Sequence, residues 1–324
     1  MKKNYLKELI TLSISILLIA GCKKESKEIN YDWGNHRDGC RLVFGTNADP
    51  TGSADFTFHY NGRGLANEWD IENYGTLVQE YDVRGKLKKS TLTQNGDVTG
   101  IVSFFYDRDD KVTKEIWHLG TDTTDIIYYH YNAQGNLVKT QSFLNDYIAA
   151  GKYTPDGSLL ESNLYFSGVP VYTALYTYNK HFKNPYQAVP GIDHLFPYYT
   201  PMDLFYGKWR WASLKQIAYD ESGNPIVQFE YDPSKTVWQG GPHDYTSSVT
   251  YFDVLSGNPY PYPFKYDNCG DDNGNDNSNS QISALPTVSG NGKTNSMMLL
   301  IHNPSKSVKE QVKEFRQQVK KINN

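Results

Sequence analysis

One pattern recurs along this chain and limits what it can fold into. An aromatic-rich segment ends in Tyr, Asp or Asn follows, then two variable residues, Gly, and soon Leu. It reads Tyr60-Asn61-Gly62-Arg63-Gly64-Leu65, then Tyr81-Asp82-Val83-Arg84-Gly85-Lys86-Leu87, and is cleanest at Tyr131-Asn132-Ala133-Gln134-Gly135-Asn136-Leu137. Tyr106-Asp107-Arg108-Asp109-Asp110-Lys111-Val112 keeps the form with Asp110 in place of Gly. Tyr153-Thr154-Pro155-Asp156-Gly157-Ser158-Leu159 and Tyr219-Asp220-Glu221-Ser222-Gly223-Asn224-Pro225 complete the set. The first five Tyr are 21, 25, 25 and 22 residues apart. Asp or Asn in this place caps a tight turn by accepting from nearby backbone N–H groups. Gly supplies the positive φ that a hairpin turn requires. Each period leaves room for two strands of about 6–8 residues and two turns.

Strand alternation tests the hairpin reading, because residues two apart share a face. Two before the motif Tyr stand Phe58, Phe104, Tyr129 and Ile217, with Tyr176 and Phe229 before the related Tyr178 and Tyr231. Gln79 is the exception. One residue before stand His59, Glu80, Phe105, His130, Thr177, Ala218 and Glu230. One face is therefore apolar and the other mixed, as in an antiparallel sheet with a packed side and a wetter side. Tyr suits such a sheet because its ring buries area while its hydroxyl stays in water. The expectation is an all-β chain: a single elongated, twisted antiparallel sheet over residues 41–266, with a Pro/aromatic-rich insertion at 180–215 and a short C-terminal helix.

The run of Tyr-Asp/Asn-x-x-Gly-x-Leu resembles YD repeats, the β-hairpin repeats of Rhs-type shells and teneurins. Together with the leader described next, it resembles a Bacteroidetes lipoprotein family of unknown function with degenerate YD-type repeats. The resemblance covers roughly residues 55–255. It brings no catalytic residues with it, and six copies are too few to close an Rhs-type shell around a cargo.

Lys2, Lys3 and Lys7 give the chain a basic start, and residues 9–20 are apolar except for Thr11, Ser13 and Ser15. A run of this length is short for a membrane span and suits a signal-peptide core. Leu18-Ile19-Ala20-Gly21-Cys22 then reads as a lipobox, with cleavage after residue 21 and lipidation of Cys22. Acyl chains would hold it firmly, at about 0.8 kcal/mol per buried CH₂. The tether from Lys23 to Glu28 partly resembles the export signal of Bacteroidetes surface lipoproteins. The expected location is the outer membrane, with the protein displayed on the cell surface and the periplasmic face as the alternative; no other apolar run approaches 20 residues, so no further membrane span is expected. Loss of residues 1–21 removes three Lys and one Glu from 32 basic and 36 acidic residues, leaving a net charge of −6. A mildly acidic chain without a basic patch argues against nucleic acid as partner. Beyond Cys22, Cys40 and Cys269 either pair in an oxidising envelope or remain free thiols.

The repeat is interrupted between Tyr178 and Tyr219, where Pro185, Pro190, Pro197 and Pro201 oppose a continuous strand. A similar Asn-Pro-aromatic insertion, here Asn184-Pro185-Tyr186, occurs in the family it resembles. Residues 202–206 suit a short helix. Two readings stay open: the aromatics cover the apolar sheet face, or Tyr186, Tyr198, Tyr199, Trp209 and Trp211 line a ligand groove. Residues 267–295 read as a polar linker. Asp271, Asp272 and Asp276 do not make a calcium loop, because Gly274 falls too early and no Glu closes it. Within 296–324, residues 297–301 suit a strand, and Val308, Val312, Phe315, Val319 and Ile322 form one helical stripe.

Catalytic patterns are missing from the sequence. The eight His include no pair at i, i+4, and there is no G-x-S-x-G, phosphate-binding Gly loop or Cys-x-x-Cys. His59 and His130 read as exposed strand residues. No metal site or cofactor is expected. A glycosidase would need two carboxylates brought together by the fold. The expected function is a non-catalytic envelope binding protein for a glycan or a protein. The alternative is a structural or assembly component of an envelope complex, with a hydrolase third. Gly135→Val forces a β-branched residue into the left-handed region and is expected to lower the melting temperature; an unchanged value would mean that the turn is misread.

Overall fold

The computed structural model describes residues 40–49, 52–72, 75–189 and 209–269, and seven residues between 309 and 317. The leader, Cys22, the tether, Tyr198, Tyr199, residues 202–206, Asp271, Asp272, Asp276 and residues 297–301 lie outside these. So do Val308, Phe315, Val319 and Ile322.

The described residues form seventeen antiparallel strands in one sheet. They are β1 (Arg41–Asp49), β2 (Gly52–Tyr60), β3 (Ala66–Ile71), β4 (Gly75–Tyr81), β5 (Leu87–Gln94) and β6 (Asp97–Tyr106). Next come β7 (Val112–Leu119), β8 (Asp122–Tyr131), β9 (Leu137–Ser142), β10 (Tyr147–Tyr153), β11 (Leu159–Phe166) and β12 (Val169–Lys183). The last are β13 (Trp209–Tyr219), β14 (Pro225–Glu230), β15 (Val237–Gly240), β16 (Thr246–Phe252) and β17 (Pro259–Asp267). Consecutive strands pair from β1 to β14 and from β15 to β17, and β17 returns to pair with β1. Among the described residues, no helix is long and apolar enough to cross a membrane.

All six motif turns fold alike. At Asn132, the backbone N–H donates to the Asn136 carbonyl and the Gly135 N–H donates back to the Asn132 carbonyl. The Asn132 Oδ1 accepts from the N–H groups of Gln134 (3.0 Å) and Asn136 (2.9 Å). Asn61, Asp82, Asp107 and Asp220 repeat this, and Thr154 accepts from Ser158 through its hydroxyl. Gly135 has φ +87°, as the turn demands. Asp110 takes the same region at φ +66°, and its carboxylate pairs with Arg84 and Lys86 across the turn row. Asp tolerates this conformation better than most residues with a side chain.

The strand faces separate as the alternation predicts. Phe58, Phe104, Tyr129 and Tyr176 are buried, and His59, Glu80, His130 and Thr177 are exposed. Gln79 also faces inward, where its Oε1 accepts from the Ser90 hydroxyl at 2.8 Å. β13 departs from the pattern: Ala218 is buried and Ile217 only partly so. An extra residue at Ala212 accounts for this: Tyr178 pairs with Trp211 but Thr177 with Ser213, and one extra residue reverses the parity of a strand.

The motif hydroxyls differ from the sequence expectation. They are not left in water. Tyr106 donates to the Leu87 carbonyl at 2.6 Å, Tyr153 to Leu137 at 2.7 Å and Tyr178 to Leu159 at 2.6 Å. Tyr81 likewise reaches Ala66, and Tyr60 reaches Leu42. For Tyr81, Tyr106, Tyr153 and Tyr178 the bond ends on the strand that follows the preceding motif turn. A register shift lies beside each of Tyr60, Tyr81, Tyr106, Tyr153 and Tyr178. Burial accordingly pushes the phenols of Tyr60, Tyr81 and Tyr106 far above the ordinary tyrosine range.

The strands also reach further into the insertion than its composition suggests. β12 continues to Lys183, and Lys183 faces Trp209 at the start of β13. All four Pro of the insertion lie between these limits. Pro185–Ala188 forms a 3₁₀ turn capped by the Asn184 side chain. Likewise Asp267 closes β17 rather than opening the linker, and it binds Arg41 on β1. Cys40 and Cys269, just outside this strand pair, are joined by a disulfide. Residues 309–310, 312–314 and 316–317 are helical, and Val312 joins the core. Tyr106→Phe removes one repeat-to-repeat bond and strands a buried carbonyl; it is expected to destabilise by about 1–2 kcal/mol in urea unfolding, and an unchanged midpoint would deny that the hydroxyl couples the repeats.

Candidate functional site

The two ends of the sheet meet over an aromatic cluster. Backbone bridges join Tyr231 to Asp253 and Lys183 to Tyr245. Between them Trp211 stacks on Tyr251 at 4.2 Å and on Tyr231 at 5.6 Å. Tyr251 donates to the Trp211 carbonyl at 2.8 Å. Arg210 lies fully buried beneath, its guanidinium 4.3 Å from the Trp211 ring, and its Nε donates to the Tyr251 hydroxyl. Tyr186 meets Phe264 edge-on.

This placement corrects the groove reading for two of its residues. Tyr186 and Trp211 are each only 1% exposed, so neither presents a ring face to a ligand. Both flanks of the insertion instead complete the core under the sheet ends. Trp209 is half-buried on β13. Tyr198 and Tyr199 lie outside the described residues.

The buried face also carries acids. Glu115 on β7 is fully buried and accepts from the Trp117 indole at 3.0 Å and the Tyr129 hydroxyl at 2.9 Å. Asp125 on β8 accepts from the Ser142 hydroxyl at 2.7 Å and the Ile126 N–H at 2.7 Å. Burial raises both carboxyls, and Glu115 is pushed up to about 8. Both are closed off from solvent by the sheet, so they offer no open cleft for an attacking water.

Exposed aromatics lie on the opposite, outer face. Phe105 on β6 stands opposite Lys114 on β7, which stands opposite Tyr128 on β8. The Lys114 ammonium lies 4.5 Å from the Phe105 ring centre. Phe143, in the loop after β9, meets Tyr128 edge-on at 6.5 Å. Phe105, Tyr128 and Phe143 are 42%, 41% and 68% exposed, which leaves their rings available. Two strand spacings separate Phe105 from Tyr128, about 10 Å. Alternation explains the row, because Phe104 and Tyr129 take the buried positions. Sequence reasoning assigned Phe105 to this face but did not see that β7 would bring Tyr128 into line with it.

His59 and His130 are not neighbours; five strands lie between β2 and β8. His130 stands opposite Lys139. His59 stands opposite Glu68 and bonds Asp70 at 3.0 Å.

No family model and no curated protein matches this sequence. Among solved structures, a porin-like protein from Bacteroides uniformis is similar over 69% of this chain and 96% of its own, at 12% identity and a TM-score of 0.43. A porin-like protein from Bacteroides vulgatus is similar over 70% and 98%, at 9% identity and 0.33. A TcdB2-TccC3-TEV structure is similar over 68% of this chain and 10% of its own, at 11% identity and 0.20. These values are too low to carry function across.

Glu115 makes stability depend on pH in a fixed sense. Its folded pKa of about 8 lies above the unfolded value of 4.5, so the folded state keeps a proton that the unfolded state loses. Stability is expected to fall as pH rises from 4.5 to 8, by an amount on the order of 3–5 kcal/mol. Glu115→Gln mimics the protonated acid and is expected to flatten that slope in urea titrations; the parent slope persisting in the variant would assign it elsewhere.

Proposed function

We propose that this chain is a non-catalytic binding protein of a bacterial envelope, lipid-anchored through Cys22 in the outer membrane and facing outward. Its ligand is a glycan chain, received on the outer sheet face. The observation that carries this reading is the exposed row Phe105, Lys114 and Tyr128 with Phe143 beside it. Single exposed apolar residues need no explanation, but aligned exposed aromatics mark interaction surfaces. Flat rings held by rigid strands stack on the apolar faces of sugar rings at little entropic cost. Lys114 between them offers hydrogen-bond donors to hydroxyl or acidic groups. The anchor rests on the basic, apolar leader and its lipobox.

The test is a glycan array followed by affinity measurement on the best hit. Phe105→Ala with Tyr128→Ala is expected to weaken binding about tenfold or more while leaving the melting temperature nearly unchanged, since both rings are exposed. Absence of any glycan hit would overturn the ligand class. The anchor has a separate readout: Cys22→Ser is expected to abolish palmitate labelling and release the protein from the membrane fraction, and retention of both would remove the anchor.

A further inference from the structure

We propose that His59, Glu68 and Asp70 form a binding site for a divalent transition-metal ion, zinc foremost. This is independent of the glycan reading and uses a different part of the outer face.

The sheet itself assembles the three residues. Phe58 on β2 and Trp69 on β3 point into the core, at 2% and 0% exposure. Alternation therefore turns His59, Glu68 and Asp70 outward together. Register places His59 opposite Glu68, with Asp70 two residues along the same strand. One ligand atom from each lies within 4.8 Å of the others. Zinc bonds of about 2.0–2.2 Å call for somewhat closer ligands, a gap that side-chain torsions of exposed residues can close.

The second coordination layer is also present. The Thr76 hydroxyl donates to Asp70 Oδ1 at 2.6 Å, and Asp70 Oδ2 faces the His59 Nε2 at 3.0 Å. Such bonds fix the direction of a ligating carboxylate. One oxygen is thereby held back and the other presented on the histidine side. In the metal-free protein the His59–Asp70 bond occupies the place that the ion would take.

Charge argues in the same direction. Elsewhere the outer face matches its acids with lysines on the neighbouring strand: Glu80 with Lys89, Glu161 with Lys152, and Glu230 with Lys215. Among the described residues, Glu68 has no such lysine or arginine, and it shares its face with the second carboxylate of Asp70. An ordinary His59–Asp70 ion pair explains two of the three groups and leaves Glu68 repelling Asp70. A dication satisfies all three. Imidazole beside carboxylates favours zinc and its neighbours over calcium or magnesium, which prefer oxygen alone. Three protein ligands leave at least one position for water or for an oxygen of a bound molecule.

The experiment is a zinc titration of the whole chain in detergent, competed against a chromophoric chelator and repeated with thermal melting. The parent is expected to take up one competing equivalent of zinc and to melt higher with it. His59→Ala should weaken that uptake about tenfold or more and lose the thermal shift, and Glu68→Gln should weaken it severalfold. His130→Ala, an outer-face control, should bind like the parent. Metal-free melting temperatures of all variants, expected to match the parent, separate lost binding from lost folding. Equal zinc affinity in His59→Ala, or no saturable equivalent in the parent, would overturn the site.

Discussion

The bond from a motif tyrosine hydroxyl to the backbone carbonyl beside the preceding turn is the contact on which the rest of this sheet depends. A hairpin of six-residue strands is marginal alone. Here Tyr60, Tyr81, Tyr106, Tyr153 and Tyr178 pin their hairpins to the preceding one, through the ladder of the shared strand pair and through a hydroxyl bond that phenylalanine could not make. Phenylalanine would fill the same space and leave the carbonyl unsatisfied. The bulge beside Tyr60, Tyr81, Tyr106, Tyr131 and Tyr153 and the turn that follows it belong to one device. The turn sets the bulge, the bulge aims the ring, and the ring reaches the previous repeat. Stability therefore accumulates from nearest-neighbour terms, as in other repeat proteins, with each weak link felt mainly by the repeats beside it.

How far the sequence reveals this can be argued residue by residue. The Asn132–Gly135 turn and its relatives are legible because their chemistry is local: an oxygen that reaches two N–H groups and a glycine with positive φ. The outward position of His59 and Phe105 follows from counting by two. The reversed parity at Ala218 does not, because a bulge is set by how two strands settle against each other. Asn95 and Gly96, both with positive φ, turn β5 into β6 through a dipeptide that is itself a strong hairpin signal, although it lies outside the longer motif. The destination of the tyrosine hydroxyls was invisible, since nothing in a strand pattern says which carbonyl lies within reach.

Candidate sites were harder to read than the fold for the same reason. Aromatic residues in the insertion looked equivalent in one dimension, yet Tyr186 and Trp211 serve the core while Tyr128, inside a repeat, is exposed. Trp211 is buried because the far end of the sheet returns to cover it with Tyr251 and Tyr262. The grouping of His59 with Glu68 and Asp70 needs the β2–β3 register, which a search for paired histidines does not sample. Glu115 shows the converse case. Its strand neighbours are ordinary, and only the indole and phenol brought to it explain why an acid sits in the core.

The disulfide has a mechanical consequence. Cys40 and Cys269 stand where the chain enters and leaves the sheet, 229 positions apart in sequence. Tension applied between the N-terminal segment and the C-terminal segment passes from one sulfur to the other and never enters the strands. The sheet hangs from that link as a closed covalent ring, with its hydrogen-bond ladders out of the line of force. A pull that would peel an edge strand from an uncrosslinked sheet can only swivel this one about a single point.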